Sequence, residues 1–391
     1  MFSDLAEMSA GNEQDRPVFF ADNSDSVGLG QLSLNMVGWA AGFADFDNDG
    51  HFDLWVVNGN TLQLADDPTQ LAPQRPHVFR QQPPRGFFEI GRQACPRLGE
   101  PIVGRGGAHA DYDGDGHVDL YVTNYGPNVL YRNVGDGTFE DVARAAGVAD
   151  DSLSASCAFL DADGDGLLDL YVCGYAQDDG RGASIGAAND RFVYHDARNG
   201  GANSLFRNGG NLAFHDVTAP TGLDQNNRRW SFAASWEDYD DDGDQDLYVA
   251  NDYGRNNLYR NDGGKFVDVA ASTGSEDSAS GMSAAWGDYD RDGRMDLYVA
   301  NMFSAAGSRI TTQKQFKTGT REEIRDRFRR FARGNTLFRN TGEGFEDVSV
   351  QAGVTLGRWA WSSNFVDLNN DSWEDLVVGN GYYTREDTGD L

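Results

Sequence analysis

The chain has 391 residues, and 62 acidic against 32 basic side chains give it a formal charge of −30. Such acidity excludes nucleic acid and anionic membranes as partners, because both demand a basic surface. With 48 glycines and 12% aromatic residues, the composition suits tight turns between short strands and excludes disorder, and no apolar run is long enough to span a bilayer.

Residues 17–30 carry Phe19-Phe20-Ala21-Asp22 and Ser26-Val27-Gly28-Leu29, an early copy of a segment that recurs. The stretch before them, MFSDLAEMSAGNEQ, lacks the basic and apolar regions of a signal peptide. The first unit, 36–102, opens with VGWAAGFA, which reads as a strand. DFDNDGHFDL follows, with Asp45, Asp47, Asp49, His51 and Asp53 at places one, three, five, seven and nine. LWVVN then reads as a second strand, and weaker third and fourth strands are expected around Val78–Phe79 and Phe87–Ile90.

The acidic loop recurs five times. The second copy holds Asp111, Asp113, Asp115, His117 and Asp119 at those places; the third holds Asp161, Asp163, Asp165, Leu167 and Asp169. The fourth holds Asp238, Asp240, Asp242, Asp244 and Asp246; the fifth, Asp288, Asp290, Asp292, Arg294 and Asp296; the sixth, Asp367, Asn369, Asp371, Trp373 and Asp375. Carboxylates two apart on a curled loop converge on one centre, and all-oxygen donors suit calcium better than magnesium, which keeps its waters. The seventh place tolerates any side chain, so only its backbone carbonyl is expected to bind. A glycine at the sixth place closes the curl, except at Ser372, so the sixth site is expected to be strained or weak. About six structural calcium ions would bring the charge from −30 to −18.

From the second unit onward a third element appears as LYRN or LFRN and a fourth as F-x-D-V, at Phe139, Phe214, Phe266 and Phe345. Each unit is therefore four short strands, and such units repeated around an axis form an all-β propeller. The units span 36–102, 103–152, 153–228, 229–278, 279–356 and 357–391, in a single domain covering 1–391. The last would be completed by 17–30, whose N-terminal strand closes the blade. Six loop-bearing units are visible, and a seventh blade would have to lie in an insertion.

Insertions separate strands two and three of the first, third and fifth units, on the face opposite the acidic loops. The last, 302–334, contains TREEIRDRFRRFARG, which reads as an amphipathic helix with Ile324, Phe328 and Phe331 as its apolar stripe. It reads either as a lid over the central funnel or as a helix docked by that stripe, its arginines paired with surface acids. Cys157 and Cys173 flank the third loop; a cross-strand disulfide and two buried thiols both remain open.

The run DYDGDGHVDLYVTN with NVLYRNVGDGTFEDVARAAGV resembles the FG-GAP and VCBS-type repeats of integrin α-chain propellers, and is similar to bacterial relatives of cartilage acidic protein that often bear an ASPIC/UnbV segment. No such segment is visible here, and integrin-type propellers have seven blades. The resemblance implies a calcium-stabilised monomeric propeller that is extracellular, periplasmic or at the cell surface, and that binds a small-molecule, glycan or protein ligand. It also implies an alternative, a cofactor-free cyclase or pericyclase. Trp39, Trp230, Met282, Trp359 and Trp361 at strand-one starts, with Asn124, Tyr125, Asn251, Tyr253 and Asn301 at strand-two ends, are the expected ligand-binding residues on the metal-free face. Arg105, Arg229 and Arg358 are the candidates for polarising a bound group there.

Overall fold

The protein is described by a computed structural model covering residues 20–61, 64, 71–176, 193 and 195–381. It is an all-β propeller. Five sheets have four antiparallel strands each. The first contains Gly38–Ala44, Asp53–Asn58, His77–Gln82 and Gly86–Glu89; the second, Gly104–Ala110, Asp119–Asn124, Val129–Asn133 and Phe139–Asp141. The third contains Leu153–Leu160, Asp169–Ala176, Ser204–Asn208 and Phe214–Asp216; the fourth, Ser231–Glu237, Asp246–Asn251, Asn257–Asn261 and Phe266–Asp268. The fifth contains Gly281–Gly287, Asp296–Asn301, Thr336–Asn340 and Phe345–Asp347, and a sixth sheet pairs Ala360–Val366 with Asp375–Asn380. The weak third and fourth strands expected in the first unit are both present.

Successive sheets pack face to face, and five hydrophobic clusters fill the spaces between them. From the second loop on, a ring two places before the loop meets an aromatic ring of the preceding sheet's second strand. His109 meets Trp55 at 5.8 Å between centroids, Phe159 meets Tyr121 at 6.5 Å, and Trp236 meets Tyr171 at 5.7 Å. Trp286 and Tyr248 (6.2 Å) and Phe365 and Tyr298 (6.3 Å) repeat the arrangement. These edge-on contacts are the favoured aromatic geometry. Close packing leaves no room for a side chain at Gly107, where an added Cβ would lie 2.7 Å from the Trp55 ring.

A second fastening runs from the third strand of the second to fifth sheets to the sheet before it. The Asn133 amide donates to the Phe46 carbonyl (2.8 Å), Asn208 to Tyr112 (2.8 Å), Asn261 to Ala162 (3.1 Å) and Asn340 to Tyr239 (2.8 Å). The acceptors are the second places of the preceding acidic loops.

The meeting of the sixth and first sheets differs. Phe43, the first sheet's counterpart of those inter-sheet rings, is 57% exposed, and Val377 on the sixth sheet is 40% exposed. Among the described residues the sixth sheet has two strands, and Phe20 to Asp22 form none. The N-terminal segment nevertheless takes up part of its expected place. Gly28 lies against the Phe87 carbonyl of the first sheet's outer strand, as Gly147 lies against Phe214, Gly222 against Phe266 and Gly274 against Phe345. Phe87 N–H donates to Val27 O at 2.8 Å.

Cys157 lies opposite Val172 and Cys173 opposite Ser156, so the two thiols fall on opposite faces of the sheet. They join different clusters as free, buried cysteines.

Asn208→Ala should destabilise the protein by about 2 kcal/mol, since it strands the Tyr112 and Leu168 carbonyls in a buried site. Urea unfolding with calcium present measures this; Glu140→Ala, on an exposed strand position, should leave the midpoint unchanged.

Candidate functional site

Two sites lie at opposite ends of the strands. At one end the acidic loops share one backbone design. The first-place carboxylate accepts from the fifth- and sixth-place N–H groups, as Asp111 does from Asp115 (3.1 Å) and Gly116 (2.9 Å). The fifth-place carboxylate accepts from the seventh-place N–H, as Asp115 does from His117 at 3.0 Å. The seventh side chain takes no part in this, which explains why His51, His117, Leu167, Asp244, Arg294 and Trp373 all serve. The loop needs left-handed backbone at two places. The sixth was expected; the fourth was not, and Asn48, Gly114, Gly164, Asp241, Arg291 and Asn370 all have positive φ there. Ser372 adopts the same left-handed turn (φ 70°), so the sixth loop keeps the shared shape.

The ninth-place aspartate joins loop and sheet. Asp119 accepts from Tyr112 N–H (3.2 Å) and, across the sheet, from Asn133 N–H (2.7 Å). Asp53, Asp169, Asp246 and Asp296 do the same and are equally buried. Burial, helped by neighbouring carboxylates, pushes these groups up, Asp53 and Asp169 to about 6 and Asp119, Asp246 and Asp296 to about 7.

Three carboxylates converge within 4.8 Å of one another at Asp45–Asp47–Asp53, Asp111–Asp113–Asp115, Asp161–Asp163–Asp169, Asp238–Asp240–Asp246 and Asp288–Asp290–Asp296. This all-oxygen donor set fits calcium, and a cation there would offset both the burial and the mutual repulsion of the acids. Asn369 leaves the sixth loop outside this group among the described residues. Arg80, Arg132 and Arg207 of the third strands reach Asp47 (2.5 Å), Asp113 (2.7 Å) and Asp163 (2.8 Å), a feature the repeat pattern did not reveal.

At the other end of the strands lies a cavity of about 550 Å³. Trp39, Tyr125, Tyr253, Met282, Trp359, Trp361 and Arg105 all line it. Trp39 meets Trp361 edge-on at 5.6 Å and Phe232 at 6.4 Å, so rings from the first, fourth and sixth sheets converge at the axis. Arg105 is buried, with Trp39 and Tyr125 rings 4.5 and 4.4 Å from its guanidinium carbon. Asp252 is buried too, accepting from Tyr175 Oη at 2.7 Å and from Ser280 Oγ. Burial raises its pKa, although these hydrogen bonds oppose the rise.

Other expected residues stand elsewhere. Asn124, Asn251 and Asn301 are buried; the amides of Asn124 and Asn251 cap turns at the strand ends, donating to Pro127 O and Arg255 O at 2.8 Å, and that of Asn301 donates to buried Asp277 at 3.0 Å. Trp230 packs behind the wall against Tyr175 and Tyr253. Arg229 is paired with Asp196 at 3.2 Å, and Arg358 is exposed. Sequence reasoning missed Phe232 and Tyr175. The second lies on a strand two residues longer than its counterparts, a signal visible in the run LYVCGYA.

The helix Glu322–Arg333 covers this cavity with Phe328 and Phe331. Both readings of that segment are therefore combined: it is docked by its stripe, and the stripe is part of a roof. Arg330 pairs with buried Asp277 at 2.7 Å and with Asp347 at 2.6 Å. Arg327 joins Arg229, Arg255 and Arg198 around Asp196, at 3.1–3.3 Å. Burial would raise the Asp196 pKa, but the Arg255 hydrogen bonds and the surrounding arginines hold it down to about 2. A depressed carboxylate stabilises the fold fully above its unfolded pKa of about 4 and loses that contribution as pH falls through about 2.

Residues 111–172 and 238–299 match the family described as FG-GAP-like repeat. No curated protein matches the chain. Among solved structures the chain is similar to an Agrocybe aegerita lectin that recognises non-reducing terminal N-acetylglucosamine (17% identity, 87% of this chain and 74% of that one, TM-score 0.44). It is also similar to the V. cholerae biofilm matrix protein Bap1 (15%, 71% and 36%, TM-score 0.38) and to a Bacillus licheniformis rhamnogalacturonan lyase (15%, 86% and 64%, TM-score 0.34). The chain spans less than two thirds of the second and third of these proteins. Among the described residues no helix is long and apolar enough to cross a membrane.

Two outcomes follow. Chelation with EGTA should lower the melting temperature sharply, and calcium should restore it; an unchanged melting curve would rule out structural ions. Asp196→Asn should speed hydrogen exchange across Glu322–Arg333 with calcium present, while the amides of Leu120–Val122 keep their protection.

Proposed function

We propose that the chain is a calcium-stabilised β-propeller that binds a small molecule or a terminal glycan unit in the roofed funnel opposite the acidic loops. The observation that carries this reading is the aromatic cavity of about 550 Å³, a size and lining typical of small-ligand sites. Calcium in this proposal is structural, held by the five three-carboxylate groups and, more weakly, by the sixth loop. Extracellular modules bind calcium in the range met outside cells, so an exported location belongs to the same proposal.

A second reading is favoured by one further feature. Arg105 and the buried Asp252–Tyr175 pair border one covered cavity. A cation and a carboxyl of raised pKa, shielded from water, can stabilise charge that develops in a bound substrate. That is what a cofactor-free cyclase needs. Arg105 is then the residue to test, since Arg229 and Arg358 do not border the cavity.

Met282→Trp fills the funnel from one wall. A panel of saccharides and aromatic small molecules, followed by tryptophan fluorescence and product analysis, should give a ligand whose binding Met282→Trp abolishes without lowering the melting temperature. Binding unaffected by Met282→Trp would place the site elsewhere. Turnover that disappears in Arg105→Met would establish the enzyme reading, and tight binding without turnover would dismiss it.

A further inference from the structure

Among the described residues two arginines are less than a tenth exposed, Arg105 at 5% and Arg229 at 4%. Their surroundings differ. Arg229 has a carboxylate, Asp196. Arg105 forms no ion pair among the described residues. Nη1 donates to the Gly59 and Gly104 carbonyls (3.1 and 2.9 Å), and Nη2 to the Asn60 carbonyl at 3.2 Å. Nε–H is buried without an acceptor. A buried charge lacking a counter-charge is costly, as is a buried donor lacking an acceptor. Carbonyls and two ring faces orient this cation but do not neutralise it.

Among the described residues Arg105 is also the sole basic side chain lining the cavity. The acid that shares the cavity, Asp252, is already engaged by Tyr175 and Ser280. Its raised pKa favours the neutral form and lessens any repulsion of an anion. The remaining wall is largely apolar and aromatic.

We infer that the funnel cavity takes an organic monocarboxylate, whose carboxylate pairs with Arg105 and whose flat apolar body lies among Trp39, Phe232 and Trp361. A carboxylate fits the planar fork of a guanidinium. A phosphate dianion would bring more charge than one arginine offsets, and a neutral ligand would leave Arg105 uncompensated. This inference rests on the funnel reading above and names the chemical class of its ligand.

The test compares 2-naphthoate with its neutral analogue 2-naphthamide, by calorimetry on the calcium-loaded protein. The acid should bind roughly ten- to a hundredfold more tightly, the range expected for a charged hydrogen-bonded pair. Arg105→Met should erase that preference, and Arg105→Lys should keep part of it, both with melting temperatures that verify folding. Equal binding of acid and amide by the wild type overturns the inference whether or not the variants fold. If Met282→Trp abolishes that equal binding, the funnel reading survives it. Binding of neither probe counts against both readings. A preference that persists in folded Arg105→Met places the carboxylate elsewhere and overturns the assignment.

Discussion

The structure depends on a buried aspartate with two backbone hydrogens to hold. In the five four-stranded sheets each ninth-place carboxylate accepts one N–H from its own acidic loop and one from the third strand, so loop, second strand and third strand are fixed by a single side chain. The arrangement places a negative charge where water cannot reach it, beside two or three more. A cation in such a site would offset that charge. The fit to a metal ion therefore follows from how the five four-stranded sheets are built.

Because the regular chemistry is committed to this end of the strands, variation gathers at the other. The links without acidic loops carry the insertions, and two of these meet around Asp196, with Arg327 from the roof helix, Arg229 from just before the fourth sheet and Arg255 from between its second and third strands. A rigid ring thus presents irregular loops at one face, the usual division between scaffold and recognition surface. The roof is fixed by ion pairs that are partly withdrawn from solvent, which salt screens less than it screens exposed pairs.

Most of the ring was legible in the sequence, because a repeated pattern reports the same local physics six times. Loop spacing gave the acidic clusters, and the recurring LYRN and F-x-D-V runs gave the four-stranded sheets. Side-chain direction was harder to read. Arg229 and Trp230 are adjacent in the chain, yet one is drawn to Asp196 and the other packs behind the wall. The strand-end asparagines looked like ligand donors, but their amide groups are already donating to turn carbonyls and, at Asn301, to buried Asp277. Phe43 carries the same pattern as Phe159 and Phe365, and its exposure comes from what lies next to its sheet, which no local pattern records. The counter-charge missing from Arg105 is likewise a property of the assembled cavity.

The asparagine fastenings have a direction. Asn133 holds the loop of the first sheet, Asn208 that of the second, Asn261 that of the third and Asn340 that of the fourth. A chain that emerges from its N-terminal end therefore completes each loop one sheet late, when the next third strand arrives. Growth of the ring is a series of overlapping closures, in which every newcomer locks its elder neighbour and waits to be locked in turn.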